Sequence, residues 1–327
     1  MAETTAIRIH ETGGPEALRV ETIEVGAPGA GEAQIRHTAI GVNFIDTYHR
    51  SGLYPLPRMP HGLGQEAAGV VEAVGEGVTE VAVGDRVTYF GGGPGSYCGL
   101  RNVKSHLLIQ LPDAVSDEVA AASLLKGMTV EYLVRRTFPL QRGQTVLWHA
   151  AAGGVGLIAC QWLRHLGVEM IGTVSSDEKA ALAAENGCTH PIVYTREDFV
   201  ERTKAITDGA GVPVVYDSVG RDTFERSLKC LARRGTFVGF GNASGKPDLF
   251  DLAKLAQGGS LYATRPTLFD YVATREELLE SSGALFDVIA SGAVKIDIRQ
   301  RFPLAEAAEA HRALESRATT GSTVLVP

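Results

Sequence analysis

Over the first 124 positions the apolar residues come in short runs, each closed by Gly, Pro or a polar stretch: "AIRI" (6–9), "LRVETIEV" (18–25), "EAQIRHTAIGVN" (32–43), "AAGVVEAVG" (67–75), "DRVTYF" (85–90) and "HLLIQLP" (106–112). Runs of that length and punctuation predict an antiparallel, partly closed barrel. The rhythm changes at "LPDAVSDEVAAASLLKGMTVEYLV". There Ser116 is placed to cap a helix, and the alanine-rich run continues it. From Thr145 strand and helix patterns alternate. Strands are predicted at 145–150, 169–174, 190–194, 213–217 and 236–240, and helices at 155–166, 177–186, 197–207 and 222–234. Alternation of this kind implies right-handed crossovers and a parallel sheet, an α/β arrangement. "SLYAT" (260–264) reads as the sixth strand. A helix at 274–291, another at 304–317 and the strand "STVLVP" are expected to pack back on the first domain.

Composition narrows this little, but it excludes several classes. The 327 residues suit two domains, and 44% hydrophobic with 21% charged residues is ordinary for a globular chain. Net charge is −7. A nucleic-acid module would carry a basic stripe; local basic clusters such as "LARRG" (231–235) are short and read as solvated helix ends. "MAETTAIRIH" lacks the basic and apolar regions of a signal peptide. The apolar stretch 146–160 is broken by His149 and a glycine turn, so it cannot span a bilayer as one helix. These features point to a cytoplasmic protein without membrane or nucleic-acid partners. Cys98, Cys160, Cys188 and Cys230 form no CxxC and read as buried or idle thiols.

"AAGGVG" (151–156) follows a predicted strand and opens an amphipathic helix. It fits G-x-G-x-x-G with Ala151 in the first glycine position. Gly153 would let the backbone approach a pyrophosphate, and Gly156 would let helix and strand pack closely, with Gly154 and Val155 between them at the helix start. Nineteen residues past Gly156, where an acid would hold the ribose of NAD, stands Ser175, followed by Ser176. Lys179 follows one helical turn on, and Tyr194 ends the next strand. This neutral and basic set suits a 2′-phosphate, hence NADPH. The rival reading takes Asp177 as the ribose acid; we prefer it as a helix-start residue, where a carboxylate meets free N–H groups.

Seven segments carry a resemblance: "GVNFIDTYHRSGLYP" (41–55), "GLGQEAAGVVEAVGEGV" (62–78), "GDRVTYF" (84–90), "AAAGGVG" (150–156), "VVYDSVG" (214–220), "SLYATRP" (260–266) and "LESRATTGS" (314–322). Together they span nearly the whole chain. The sequence is similar to the medium-chain dehydrogenases/reductases, in their zinc-free, NADPH-dependent quinone oxidoreductase (zeta-crystallin-like) branch. The resemblance implies a GroES-like catalytic domain, 1–124 with 267–327, and an inserted Rossmann domain, 125–266. It also implies a homodimer, and a cleft between the domains where nicotinamide meets substrate. Zinc-dependent relatives place a cysteine where this chain has Asn43, a histidine where it has Gln65, and a four-cysteine lobe where it has "GGGPGSYCG". Glu66 survives, but one carboxylate is not a zinc site, so no metal is expected.

In this reading NADPH supplies hydride, and the protein holds a flat acceptor and polarises its carbonyl. Asn43 would orient the nicotinamide or donate to the substrate oxygen; the alternative is a turn residue. Tyr48 would donate to the acceptor or stack on it; the alternative is packing. Asp46 is expected to cap or pair locally. Thr129 is placed toward the nicotinamide, Ser218 and Val219 end the fourth strand, and Phe240, Gly241 and Asn242 end the fifth, where ligands lie in open α/β sheets. Arg317 would reach the adenosine phosphate, or else serve as a C-terminal helix cation. Quinone reduction is the first reading and reduction of a conjugated enone or enoyl bond the second. A non-enzymatic cofactor- or RNA-binding role is disfavoured by the acidic charge.

Overall fold

The computed structural model describes residues 1–248, 251–316 and 319–327. The chain divides into two compact units: Met1–Met128 with Val272–Ala290 and Ile296–Pro327, and Thr129–Tyr271 with Ser291–Lys295. In chain order the first unit holds β1 (Ala2–Ile9), β2 (Arg19–Val25), β3 (Glu32–Val42), α1 (Phe44–Ser51), β4 (His61–Gly62), β5 (Glu66–Val74), β6 (Arg86–Phe90), β7 (Leu100–Lys104) and β8 (Leu108–Gln110), and α2 (Asp117–Tyr132) leads out of it. The second holds β9 (Thr145–His149), α3 (Gly154–Leu166), β10 (Glu169–Val174), α4 (Asp177–Glu185), β11 (His190–Val193), α5 (Phe199–Ile206), β12 (Val212–Asp217), α6 (Phe224–Leu228), β13 (Leu231–Gly239), α7 (Ala253–Gln257), β14 (Tyr262–Thr264) and α8 (Leu268–Tyr271). Then come α9 (Arg275–Ala290), β15 (Ile298–Pro303), α10 (Ala307–Glu315) and β16 (Ser322–Val326).

The first unit is built on two sheets. One is three-stranded, β2-β1-β4; the other is seven-stranded, β15-β16-β3-β5-β6-β8, with β7 also on β3. Pairing is antiparallel except for β15 with β16. In β3 the inward residues Ala33, Ile35, His37 and Ala39 alternate with more exposed ones, and from Ala39 onward the strand is buried on both faces. Gly41 lies in that second half. A Cβ there would stand 2.2 Å from the Ala121 carbonyl oxygen and 2.4 Å from Glu66 Oε1. Only glycine lets β3 run this close to α2. Ile7, Ile9, Ile35, Ile40, Leu63, Val71, Leu108 and Leu325 fill the core.

The second unit is a six-stranded, all-parallel sheet in the order β11-β10-β9-β12-β13-β14. This is the doubly wound order, in which the chain reverses direction of winding beside β9 and leaves a crevice at the strand C-termini. The central strands are apolar runs because helices cover both faces: Val146, Leu147, Trp148, Val214, Val215 and Tyr216 are fully buried. Ser291–Lys295 belongs here because the Gln161 side chain bonds both the N–H and the carbonyl of Lys295, at 2.8 and 2.9 Å.

Three local expectations change. The helix expected at 222–234 stops at Leu228, and "LARRG" is the start of β13 rather than a helix end. Arg234 takes a left-handed φ of 60°, and the β12–β13 register slips between Val212 and Val214. A bulged strand start thus replaces the last helical turns. Strands β7 and β15 escape the sequence pattern. In β15, "IRQRFP", charged residues alternate with half-buried ones, as suits an edge strand.

Candidate active site

In the first unit the chemistry gathers at the start of α1. Asn43 is its N-cap residue, and its backbone N–H donates to Asp46 Oδ2 at 2.8 Å, so Asp46 closes the turn as expected of a local cap. The Asn43 amide is itself held: Nδ2 donates to Glu66 Oε1 at 2.7 Å. Glu66 is fully buried, and its other oxygen accepts the Leu125 N–H at 2.6 Å. The Lys126 ammonium lies 3.5 Å from Glu66 and donates to the Val42 carbonyl at 3.2 Å. Burial raises the Glu66 pKa, and Lys126 is the strongest influence opposing it. Asn43 therefore has one side-chain N–H committed and one left to donate.

Tyr48 lies on α1, half-buried, edge-on to Tyr54 with ring centroids 5.2 Å apart and 6.4 Å from Phe44. His49 also meets Tyr54, at 5.9 Å, and its Nε2 pairs with Gln65 Nε2 at 3.2 Å. Phe44, Tyr48 and Tyr54 make an aromatic group of the kind on which a flat ring stacks.

The donor set around Glu66 does not suit zinc. Asn43 and Gln65 are amides, Glu66 is already bonded by Asn43 and Leu125, and the Lys126 ammonium beside it would repel a second cation. Among the described residues no group of three or more His, Cys, Asp or Glu is placed to hold a metal ion.

A directional chain stands behind α1. The Arg50 guanidinium can only donate, so His311 Nδ1 accepts from it at 3.0 Å. The proton of neutral His311 is then on Nε2, which donates to Tyr97 Oη at 3.1 Å, and Tyr97 donates to Asp46 Oδ2 at 3.0 Å. Burial pushes His311 down to about 3, in keeping with the neutral ring. Burial pushes Asp46 up to about 7, against the Asn43 N–H and the Tyr97 hydroxyl. Asp46 Oδ1 is buried without a partner.

In the second unit the glycine turn opens α3. No side chain caps this 13-residue helix at its Gly153 N-cap. Its first N–H groups, at Gly154, Val155 and Gly156, have no acceptors within the helix, and Gly153 to Val155 are partly exposed. A Cβ on Gly156 would stand 2.4 Å from the Ala150 carbonyl oxygen, whereas one on Gly153 would meet only that oxygen, at 3.3 Å. Gly156 is thus demanded by packing and Gly153 is open to an incoming group. The left-handed residue of the turn is Ala150, φ 57°, and Ala151 in the first glycine position carries no positive φ. These features fit the pyrophosphate of a dinucleotide.

The neighbouring strand ends add to it. Ser175 directly follows β10, and Ser176 caps α4, its Oγ accepting the Lys179 N–H at 3.3 Å. Lys179 is half-buried. Tyr194 follows β11, 40% exposed, its N–H on the Val174 carbonyl at 3.0 Å. Ser218 and Val219 follow β12, and Phe240, Gly241 and Asn242 follow β13. The Phe240 ring packs 5.5 Å from Trp148, and a Cβ on Gly241 would stand 2.5 Å from the Ser218 carbonyl oxygen, so these two turns nest closely. Thr129 is buried on α2. Arg317 lies outside the described residues.

Several residues carry the site without having been singled out in the sequence. Asp217, at the end of β12, accepts Val219 N–H at 2.8 Å and Gly220 N–H at 3.0 Å on one oxygen, and Thr223 and Ser227 hydroxyls at 2.7 and 3.1 Å on the other. Because Ser227 spends its hydrogen on Asp217, it accepts from His149 Nε2 at 2.9 Å, and His149 Nδ1 accepts from Thr173 at 2.8 Å. Burial lowers the His149 pKa and keeps the ring neutral. Asp177 is the first residue of α4, as expected, but its carboxylate is taken by Arg196 through two contacts of 2.5 Å. Tyr54 and Lys126 are likewise new, as is the pairing of Lys126 with Glu66. The aromatic content of "SGLYP" was the one signal that could have pointed to Tyr54.

A strand-rich unit followed by a doubly wound sheet with a glycine turn defines a medium-chain dehydrogenase/reductase. Residues 29–137 match the alcohol dehydrogenase GroES-like domain, and residues 154–280 match the zinc-binding dehydrogenase family. Quinone oxidoreductase of Pseudomonas aeruginosa is 54% identical over 96% of this chain and 97% of its own. The crystal structure of Escherichia coli quinone oxidoreductase complexed with NADPH superposes with a TM-score of 0.98 at 53% identity, covering 99% of this chain and 100% of that one. A 2-haloacrylate reductase from a Burkholderia species is 47% identical over 98% of both chains. The chain belongs to the quinone oxidoreductase family.

Proposed function

We propose that this protein reduces quinones with NADPH, by hydride transfer and without a metal. The observation that carries the reading is the open, uncapped start of α3 beside a β10 end that offers serines instead of a free acid. It is supported by the 53% identity to a quinone oxidoreductase solved with NADPH. NADPH bound at this turn supplies the hydride. The N–H groups of Gly154, Val155 and Gly156 hold the pyrophosphate, which the open backbone at Gly153 lets approach; Ser175, Ser176, Lys179 and Tyr194 face the 2′-phosphate; the turns at Ser218–Val219 and Phe240–Asn242, with Thr129, steady the nicotinamide half, and Arg317 serves the adenosine phosphate. Tyr48 stacks on or donates to the acceptor ring, and the second Asn43 N–H polarises its carbonyl. One hydride and one proton turn a quinone into a hydroquinone. The phenolate formed is stable enough to take its proton from solvent, so no strong acid is needed.

A second reading, reduction of a conjugated double bond, is favoured by the 47% identity to 2-haloacrylate reductase. The two differ in where the hydride lands. NADPH oxidation by a panel containing benzoquinones, simple enones and 2-chloroacrylate separates them. The first reading predicts the highest kcat/KM on the quinones, and preference for 2-chloroacrylate overturns it.

We also propose a cytoplasmic homodimer. No described helix is long and apolar enough to cross a membrane, and the four cysteines, buried and unbridged, fit a reducing compartment. Strand β14 is the edge of the six-stranded sheet and is exposed along its length. Pairing with a second copy about a two-fold axis would cover that edge. Light scattering should give twice the chain mass of 34.7 kDa; the single mass at micromolar concentration would contradict it.

A further inference from the structure

The ion pair between α4 and the end of β11 stands where nucleotide choice is made. Asp177 and Arg196 are 67% and 56% exposed, and the guanidinium forks onto both carboxylate oxygens at 2.5 Å. The turn that carries Arg196 is fastened to the end of β10: Tyr194 N–H bonds the Val174 carbonyl at 3.0 Å, and the Thr195 hydroxyl bonds the Ser175 carbonyl at 3.2 Å. The fork therefore lies beside Ser175, at the strand end where a dinucleotide fold distinguishes one adenosine ribose from another. The Arg196 hydrogen bond holds the Asp177 carboxyl below its ordinary pKa, so the acid is ionised and neutralised in place.

We propose that Arg196 is a specificity-determining residue for NADPH, passing its fork from Asp177 to the 2′-phosphate when the cofactor binds. The inference rests on the reading that the glycine turn holds NADPH. A carboxylate two residues past Ser175 would repel a 2′-phosphate and could hold a ribose hydroxyl, which would favour NADH. Arg196 answers both effects. While paired, it denies Asp177 to the ribose. Once a phosphate arrives, the same planar donors fit two phosphate oxygens as they fit two carboxylate oxygens. An exposed ion pair contributes little by itself, so the exchange is cheap. NADH offers Arg196 no partner, and the pair stays closed. Discrimination then comes from attraction to one cofactor and denial of an acid to the other.

The test is the dissociation constant of NADPH and of NADH for the full-length wild type, Arg196→Ala, Arg196→Lys, and Arg196→Ala combined with Asp177→Asn, at one salt concentration. Arg196→Ala is expected to weaken NADPH by about tenfold or more, the size of one charge-assisted contact, with NADH bound as well as before or better. Retained NADH affinity shows that the site is still folded. Arg196→Lys should keep part of the preference, as a point charge without the fork. Adding Asp177→Asn to Arg196→Ala should restore part of the NADPH affinity by removing the unneutralised acid. Equal losses for both cofactors, or an unchanged preference in Arg196→Ala, overturn the inference while the cofactor reading stands. A wild type that does not prefer NADPH overturns both.

Discussion

Each unit contains a buried histidine relay that ends on a carboxylate, and the two carboxylates are served very differently. In the second unit the chain Thr173 to His149 to Ser227 ends on Asp217, which takes four donors, two on each oxygen. In the first, Arg50 to His311 to Tyr97 ends on Asp46, which takes two donors on Oδ2 and none on Oδ1. Both histidines are neutral with the proton on Nε2, and both relays run one way. A carboxylate with its lone pairs filled is a rigid clamp; Asp217 fixes the Ser218–Gly220 turn. A carboxylate half filled in a dry site gains by keeping a proton, and Asp46 is pushed up to about 7. The turn after β12 is thus held by geometry alone. The start of α1, with Asn43 and Tyr48, is held by a group that titrates near neutrality.

The largest effect that would break this comparison comes from Asp217→Asn. It places an amide N–H₂ among four donors and should cost on the order of 4 kcal/mol in urea unfolding, with NADPH affinity falling in parallel. A loss under about 1 kcal/mol would mean that the four contacts do not hold the turn.

Asp46→Asn sharpens the other side. A buried acid whose folded pKa lies above its unfolded value, about 7 against 3.8, binds its proton more tightly in the folded state. Its contribution is complete below the unfolded value and is lost as pH rises through the folded one. Wild-type stability measured relative to Asp46→Asn should therefore fall by on the order of 3 kcal/mol between pH 4 and 7 and level off above. A flat difference would contradict the raised pKa. Tyr97→Phe should have the smallest effect, about 1–2 kcal/mol, because it orphans one His311 N–H and removes one donor from Asp46. It should also move the Asp46 titration to higher pH.

What the sequence disclosed follows from range. The glycine turn, the Asp46 cap and the start of α4 are settled by neighbours within a few residues. So is Ser116, whose Oγ accepts the Val119 N–H at 3.3 Å. The alternating pattern from Thr145 also disclosed the parallel sheet, because buried strands and amphipathic helices announce themselves locally. The relays did not show. Arg50 and His311 are 261 positions apart and His149 and Ser227 are 78 apart, so only the folded chain brings them together. Arg196 escaped for the same reason, lying 19 positions from the acid it neutralises. The early end of the helix expected at 222–234 has a different cause: the sequence pattern carries through "LARRG", and sheet pairing at β13 overrides it.

Metal-free reduction of a quinone by NADPH can be measured on a single sample. The most direct measurement follows NADPH oxidation by a benzoquinone after dialysis against a chelator, with zinc determined on the same sample. Full turnover is expected with far less than one zinc per chain. Stoichiometric zinc whose removal abolishes turnover, or no NADPH oxidation with any quinone, would contradict it.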